Sequence, residues 1–216
     1  MSLHLYSHPF ASFCQKALVA LYENATPFEA HLVDLGDEAG RAAFQAIWPM
    51  GKMPVLRDEA RDLTIPEATI MIEYLDQRYR GAVRFLPDDP DQAWRVRLRD
   101  RFYDLHVQEP MQKIVADRLR PADSKDPFGV EAARMQLRTA YGWIEQDMAG
   151  KTWAMGEAFS LADCAAAPAL FYADLVEPFG EGRSVASAYL ARLKARPSFA
   201  RVVEEAAYFM PFFPKG

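Results

Sequence analysis

Two short stretches hold the side chains and backbone best suited to binding a small polar ligand. In Ile47-Trp48-Pro49-Met50-Gly51-Lys52-Met53-Pro54-Val55-Leu56, Gly51 and two prolines make a turn, and a strand-like apolar run starts at once at Met53. Pro54 cannot donate to a ladder, so it belongs at a strand's first residues, at an edge or at a bulge. The bend suits a cis Met53–Pro54 bond, which would leave the N–H and C=O of Met53 free to pair with an extended peptide. Further on, Pro66-Glu67-Ala68-Thr69-Ile70-Met71-Ile72-Glu73-Tyr74-Leu75 reads as a helix opening on an acid. An acid there complements the helix dipole, and it is equally suited to hold an ammonium group.

A second set of reactive groups lies between Tyr6 and Lys16. Ser12 followed by Gln15 has the spacing of a capping box at a helix start. A capping hydroxyl accepts through its oxygen and still has a proton to donate, so a chemical role stays open beside the structural one. Tyr6 reads as a half-buried strand residue. Cys14 falls inside the helix and Cys164 inside an apolar stretch, which makes both buried, inert thiols rather than nucleophiles. His8 sits in a turn, as a solvated side chain or one that touches substrate. His4, His31 and His106 have no metal-ligand spacing, so no metal is expected.

The elements that must position these residues follow from periodicity and punctuation. Leu3 to Ser7 alternates apolar and polar, a short strand, and a turn at His8-Pro9-Phe10-Ala11 leads into a helix from Phe13 to Tyr22. Strands are expected over 27–34, 53–57 and 61–65, and helices over 38–47 and 67–79. Parallel strands in a βαβ unit need the crossover helix that the chain supplies. From Arg80 to Asp91 the pattern breaks at Gly81, Pro87 and Pro90. Beyond it, helices are expected over 94–119 (bent near Pro110), 130–148, 161–176, 184–196 and 198–207. The segment 161–176 is almost wholly apolar, as in a helix buried on all sides. Ser160 and Asp163 have the N-cap and N3 spacing of a capping box. The domains are therefore 1–80, α/β of βαβ-ββα order; 81–90, a linker; and 91–216, all α.

Composition narrows the function classes. Of 216 residues, 50% are apolar and 25% charged, an ordinary globular balance, and the net charge of −5 argues against nucleic acid as the main partner. No run of about 18 apolar residues spans a membrane and the N-terminus reads as no signal peptide. Two cysteines make no disulfide framework, which fits a reduced cytoplasm.

The turn with Met53-Pro54, the helix opening on Glu67, and Gly156-Glu157-Ala158-Phe159-Ser160-Leu161-Ala162-Asp163 together resemble the glutathione transferase family, in its theta-, phi-, tau- and zeta-like cytosolic branch. The resemblance covers nearly the whole chain and implies a thioredoxin-like glutathione-binding half, an all-helical half and a homodimer. It implies activation of the glutathione thiol for attack on a small hydrophobic electrophile, or reduction of a peroxide. Isomerase, dehalogenase or disulfide reductase chemistry on the same scaffold, or a non-catalytic binding module, are the alternatives. A free thiol has a pKa of about 8.5, so the family must stabilise the thiolate.

By resemblance, Ser12, four residues ahead of Lys16, has the Ser-x-x-x-Arg spacing of theta- and phi-like members, and Tyr6 has the position of the tyrosine in alpha-, mu- and pi-like ones. The catalytic Ser or Cys of tau-, zeta- and omega-like members falls on Ala11. For glutathione, Lys52 corresponds to the residue that meets the glycyl carboxylate, and Met53, ahead of Pro54, to the backbone pair for the cysteinyl unit. Glu67 corresponds to the acid that takes the γ-glutamyl ammonium. Ala68 stands where the family usually has serine, with Thr69 beside it as a substitute donor. The electrophile pocket is expected among Phe10, Tyr103, His106 and Val107, with the aromatic tail Phe209, Phe212 and Phe213 as a further wall.

Overall fold

The computed structural model describes residues 2–215. The first half runs β1 (Leu3–Ser7), α1 (Ser12–Glu23), β2 (Glu29–Leu32), α2 (Glu38–Ile47), β3 (Val55–Asp58), β4 (Leu63–Pro66) and α3 (Ala68–Arg78). The strands form one sheet in the order β2-β1-β3-β4. β1 pairs β2 in parallel, and β1–β3 and β3–β4 are antiparallel. The alternation seen in β1 sorts its side chains onto two faces. Leu3 and Leu5 enter a core with α1 and α3, while Tyr6 packs with Val33, Phe44 and Val55 on the other.

The second half contains α4 (Pro90–Phe102), α5 (Glu109–Arg118), α6 (Pro127–Asp147), α7 (Leu161–Val176), α8 (Ser184–Ala195) and α9 (Pro197–Ala206). The expected long helix over 94–119 is divided by a π-helical run, Tyr103–Gln108. Pro110 explains the division: it has no N–H for the carbonyl one turn earlier, and the ladder widens just ahead of it. α7 is buried along nearly its whole length, as its composition requires, and Asp163 Oδ2 accepts from both the backbone N–H and the hydroxyl of Ser160, each at 2.9 Å. Asp163 Oδ1 also accepts from Ala154 N at 2.8 Å and Tyr189 Oη at 2.7 Å, so this capping box ties α7 to a loop and to α8.

One apolar core passes through both halves, because α1 packs against α7 as well as against the sheet. The segment between α3 and α4 is pinned to it. Phe85 is buried, its N–H donates to Asp76 at 2.9 Å, and its carbonyl accepts from Leu161 N at 3.0 Å. Asn24, at the end of α1, pairs through both amide atoms with the backbone of Val83. A side chain at Gly81 would lie 2.3 Å from Asn24 Cγ, which accounts for the glycine.

Candidate active site

The N-terminus of α1 differs from the expected capping box. Ala11 is the N-cap and Ser12 the first helical residue, and no side chain caps the helix. Gln15 is fully buried instead. Its amide donates to Pro9 O at 2.8 Å and to Tyr172 Oη at 2.9 Å, drawn inward by the packing of α1 on α7. The first-turn donors of α1 are therefore left without a side-chain acceptor, an anion-binding arrangement. Ser12 is buried and its oxygen accepts from Gln108 Nε2. An accepted bond leaves the Ser12 proton available for a second acceptor.

Two cavities meet at this helix mouth. The more polar one, of about 230 Å³, is lined by Lys52, Met53, Pro54, Glu67 and Ala68, with Phe13 of α1 and Arg101 and Asp104 across from them. The Met53–Pro54 bond is cis, and Met53 lies just outside the ladder, which begins at Val55 opposite Pro66. Glu67 has a positive φ of 67°, a conformation uncommon for a side-chain-bearing residue, at the junction of β4 and α3. The second cavity, of about 430 Å³, is mainly apolar. Phe10, Ala11 and Ser12 form one wall, Met111 and Val115 of α5 another, and Tyr172 and Phe213 a third. Gln112 borders both cavities. A larger cavity of about 700 Å³ opens beside β2 and the end of α1 and shares no lining residue with these two.

Behind the polar cavity is a buried charge network that sequence reasoning missed. Lys16 is 1% exposed, with Nζ 2.6 Å from Asp100 Oδ1, 2.7 Å from Asp104 Oδ2 and 2.8 Å from Thr69 Oγ1. Arg101 closes the network from the solvent side, contacting both aspartates and Thr69. Burial raises the pKa of Asp104, Lys16 opposes that rise, and the like charge of Asp100 adds to it. Burial acts to lower the pKa of Arg101, but Asp104, Asp100 and Glu67 outweigh it and hold the guanidinium more firmly protonated. Asp100 and Asp104 one turn apart on a helix were the available signal; their partner on α1, some 80 positions away, was not. Thr69 is committed to this network and does not supply the donor that Ala68 lacks.

The structure thus brings Ser12, Lys52, Met53, Pro54, Glu67, Ala68 and Phe10 to two adjoining cavities. It sets the other expected residues apart. Tyr6 stacks on His31 with ring centroids 4.7 Å apart, on the face of the sheet that α2 covers, because strand alternation turns it there. Tyr103 is fully buried against Phe102 and Tyr189, and Val107 is wholly in the core. His106 leans on Phe102 and Gln136. In their place α5 supplies Met111 and Val115, further along the same helical path. Of the tail, Phe213 lines the apolar cavity, Phe209 packs on His8 and Phe10, and Phe212 is exposed. Cys14 is inert: burial pushes its thiol from 9.0 to about 12. Cys164 is pushed up by the same cause.

A thioredoxin-like sheet domain with a cis-proline turn, carrying an all-helical half, defines the class. The glutathione S-transferase N-terminal domain profile matches residues 5–82, and the C-terminal domain profile matches residues 127–204. The chain belongs to the glutathione transferase family. It is 30% identical over 207 residues to a stringent starvation protein A homolog of Haemophilus influenzae, covering 94% of this chain and 91% of that protein. It is 25% identical over 193 residues to the glutathione S-transferase GstB of Escherichia coli, covering 88% and 91% respectively. Among solved structures, a glutathione S-transferase of Methylobacillus flagellatus with glutathione bound superposes with a TM-score of 0.84 at 24% identity, over 93% of this chain and 98% of that one. No helix among the described residues is long and apolar enough to cross a membrane.

Proposed function

We propose that this chain binds glutathione in the polar cavity and activates its thiol at the N-terminus of α1, for attack on a small hydrophobic electrophile held in the apolar cavity. The observation that carries this reading is the junction itself: an uncapped helix start and a hydroxyl with its proton free, between a polar and an apolar cavity. In this reading Lys52 meets the glycyl carboxylate and the backbone of Met53 pairs with the cysteinyl unit, like an added strand. Glu67 takes the γ-glutamyl ammonium while the first N–H groups of α3 receive the adjoining carboxylate. The Ser12 hydroxyl and the helix dipole favour the thiolate. The bound thiolate is the nucleophile, and neither cysteine of the protein takes part.

The chain acts as a homodimer in this proposal, and its setting is the cytoplasm. Trp94 and Leu98, one turn apart on α4, and Ile70 on α3 are large exposed apolar side chains on helices joined by the Arg97–Glu73 ion pair. Such a patch favours a second copy as its cover.

The test is a calorimetric titration of the protein with glutathione, with the thiolate absorbance of the complex read at neutral pH. Binding with raised thiolate absorbance is expected, followed by conjugation of a chloro-dinitrobenzene. A second reading, a glutathione-binding module without turnover, is favoured by Ala68 and by the commitment of Thr69 to the buried network. It predicts binding with no thiolate signal. Absence of binding at millimolar glutathione overturns both readings.

A further inference from the structure

The parallel register of β1 and β2 assembles a cluster that lies apart from both cavities of the candidate active site. His4 stands opposite Glu29, and His31 stands opposite Tyr6, so His4, Glu29 and His31 share one face of the sheet at its edge. His4 Nδ1 and His31 Nε2 face each other at 2.9 Å. The Glu29 carboxylate lies 3.7 Å from the first and 3.5 Å from the second. Three ligand atoms each about 2.0–2.2 Å from one divalent ion stand roughly 3–3.5 Å apart. The two nitrogens have nearly that spacing as they stand, and the carboxylate, which turns a different oxygen to each ring, reaches it with a small movement of the exposed Glu29 side chain.

Its surroundings fix the ligands as metal sites do. Glu59 Oε2 lies 3.2 Å from His4 Nε2, on the far side of the ring from Glu29. A carboxylate at that distance is placed to orient the ring once Nδ1 is taken up by a metal, as outer carboxylates do for ligating histidines. Tyr6 stacks on His31 with an interplanar angle of 16° and restrains that ring. The cation nearest along the ladder is Arg57, opposite His4 on β3, and its guanidinium is engaged with Asp62 and Thr64. Glu29 and Glu59 bring two carboxylates to the two imidazole rings.

We propose that His4, His31 and Glu29 form a binding site for a late first-row divalent metal ion, with water in the remaining positions. Two nitrogens about 2.1 Å from one ion stand about 3.0 Å apart at a right angle and about 3.4 Å apart at the tetrahedral angle. The observed 2.9 Å therefore suits nickel(II) or copper(II) directly, and zinc(II) after a small opening of the two rings. The ion clips the edge strand β2 to β1 and stabilises the sheet. Nothing in this site depends on whether the chain binds glutathione.

The test uses the full chain without an affinity tag, stripped with EDTA, titrated with nickel(II) chloride and zinc chloride by calorimetry. One ion per chain is expected, with a rise in melting temperature on loading. A copper(II) sample should give an electron paramagnetic resonance spectrum with two-nitrogen coordination. His31→Gln, on the exposed edge strand, and separately His4→Gln should each weaken uptake by about 10–100-fold, while His106→Gln should not. No saturable uptake of either ion, or uptake unchanged in both His31→Gln and His4→Gln, overturns the proposal.

Discussion

Ser12 and Glu67 are the residues on which the proposed chemistry turns. Replacing Ser12 by Ala removes a hydrogen bond to a charged acceptor, of about 1.5–3 kcal/mol, so the pKa of bound glutathione should rise by about 1–2 units. A spectrophotometric thiolate titration of the complex reads that shift directly; an unchanged pKa would assign activation to the helix N-terminus alone. Glu67→Gln keeps the shape and removes the charge that faces the γ-glutamyl ammonium. Glutathione affinity should fall by about tenfold or more, measured by calorimetry at fixed salt. An affinity equal to the parent's would leave Glu67 as a helix-dipole acid and no more. Both residues stood out in the sequence because short motifs with a turn or a helix start are local. The role expected of Tyr6 was not local: strand alternation carried its ring to the opposite face from α1.

Among the elements, the joint of α1, α3 and α4 rests on a single buried ammonium. Lys16→Met would leave Asp100 and Asp104 buried beside each other with only Arg101 as counter-charge. Breaking a buried pair in this way costs about 3–5 kcal/mol, which a denaturant midpoint should register as a large drop. Adding Asp104→Asn to that variant removes one of the opposed charges and should recover part of the loss. A loss no larger in Lys16→Met than at a surface lysine would mean that this ammonium does not hold the joint together. The expected elements over 3–7, 38–47 and 161–176 match the observed ones because periodicity and caps are properties of short windows. The helix expected over 94–119 did not survive as one α-helix. A single proline altered the ladder ahead of itself.

For the whole molecule, pH and assembly give two further expectations. Cys14 is fully buried and its thiol is held up to about 12, against 9.0 ordinarily. Its folded-state pKa is raised, so the unfolded chain loses this proton first. Stability is therefore intact below pH 9 and falls as pH rises towards 12, by at most about 4 kcal/mol at ~1.36 kcal/mol per unit. Cys14→Ala should move the alkaline unfolding midpoint upward relative to its own neutral stability, followed by circular dichroism. An identical pH dependence would place the alkaline weakness elsewhere. Light scattering at micromolar concentration should give twice the chain mass of 24.4 kDa, and Leu98→Glu should shift it towards the single chain. A single-chain mass for the parent removes the dimer.

The amino-acid sequence by itself determined the family, the order of sheet and helices, the cis-proline turn and many of the residues that line the polar cavity. Those features reside in contiguous stretches, where turn chemistry, capping and periodicity act over a few residues. Only the tertiary structure decided what lies between distant segments. It put Gln108 against Ser12, Lys16 between Asp100 and Asp104, Met111 and Val115 opposite Phe10, and His4 beside His31. Each of those meetings depends on strand register or on helix packing, which no local window contains.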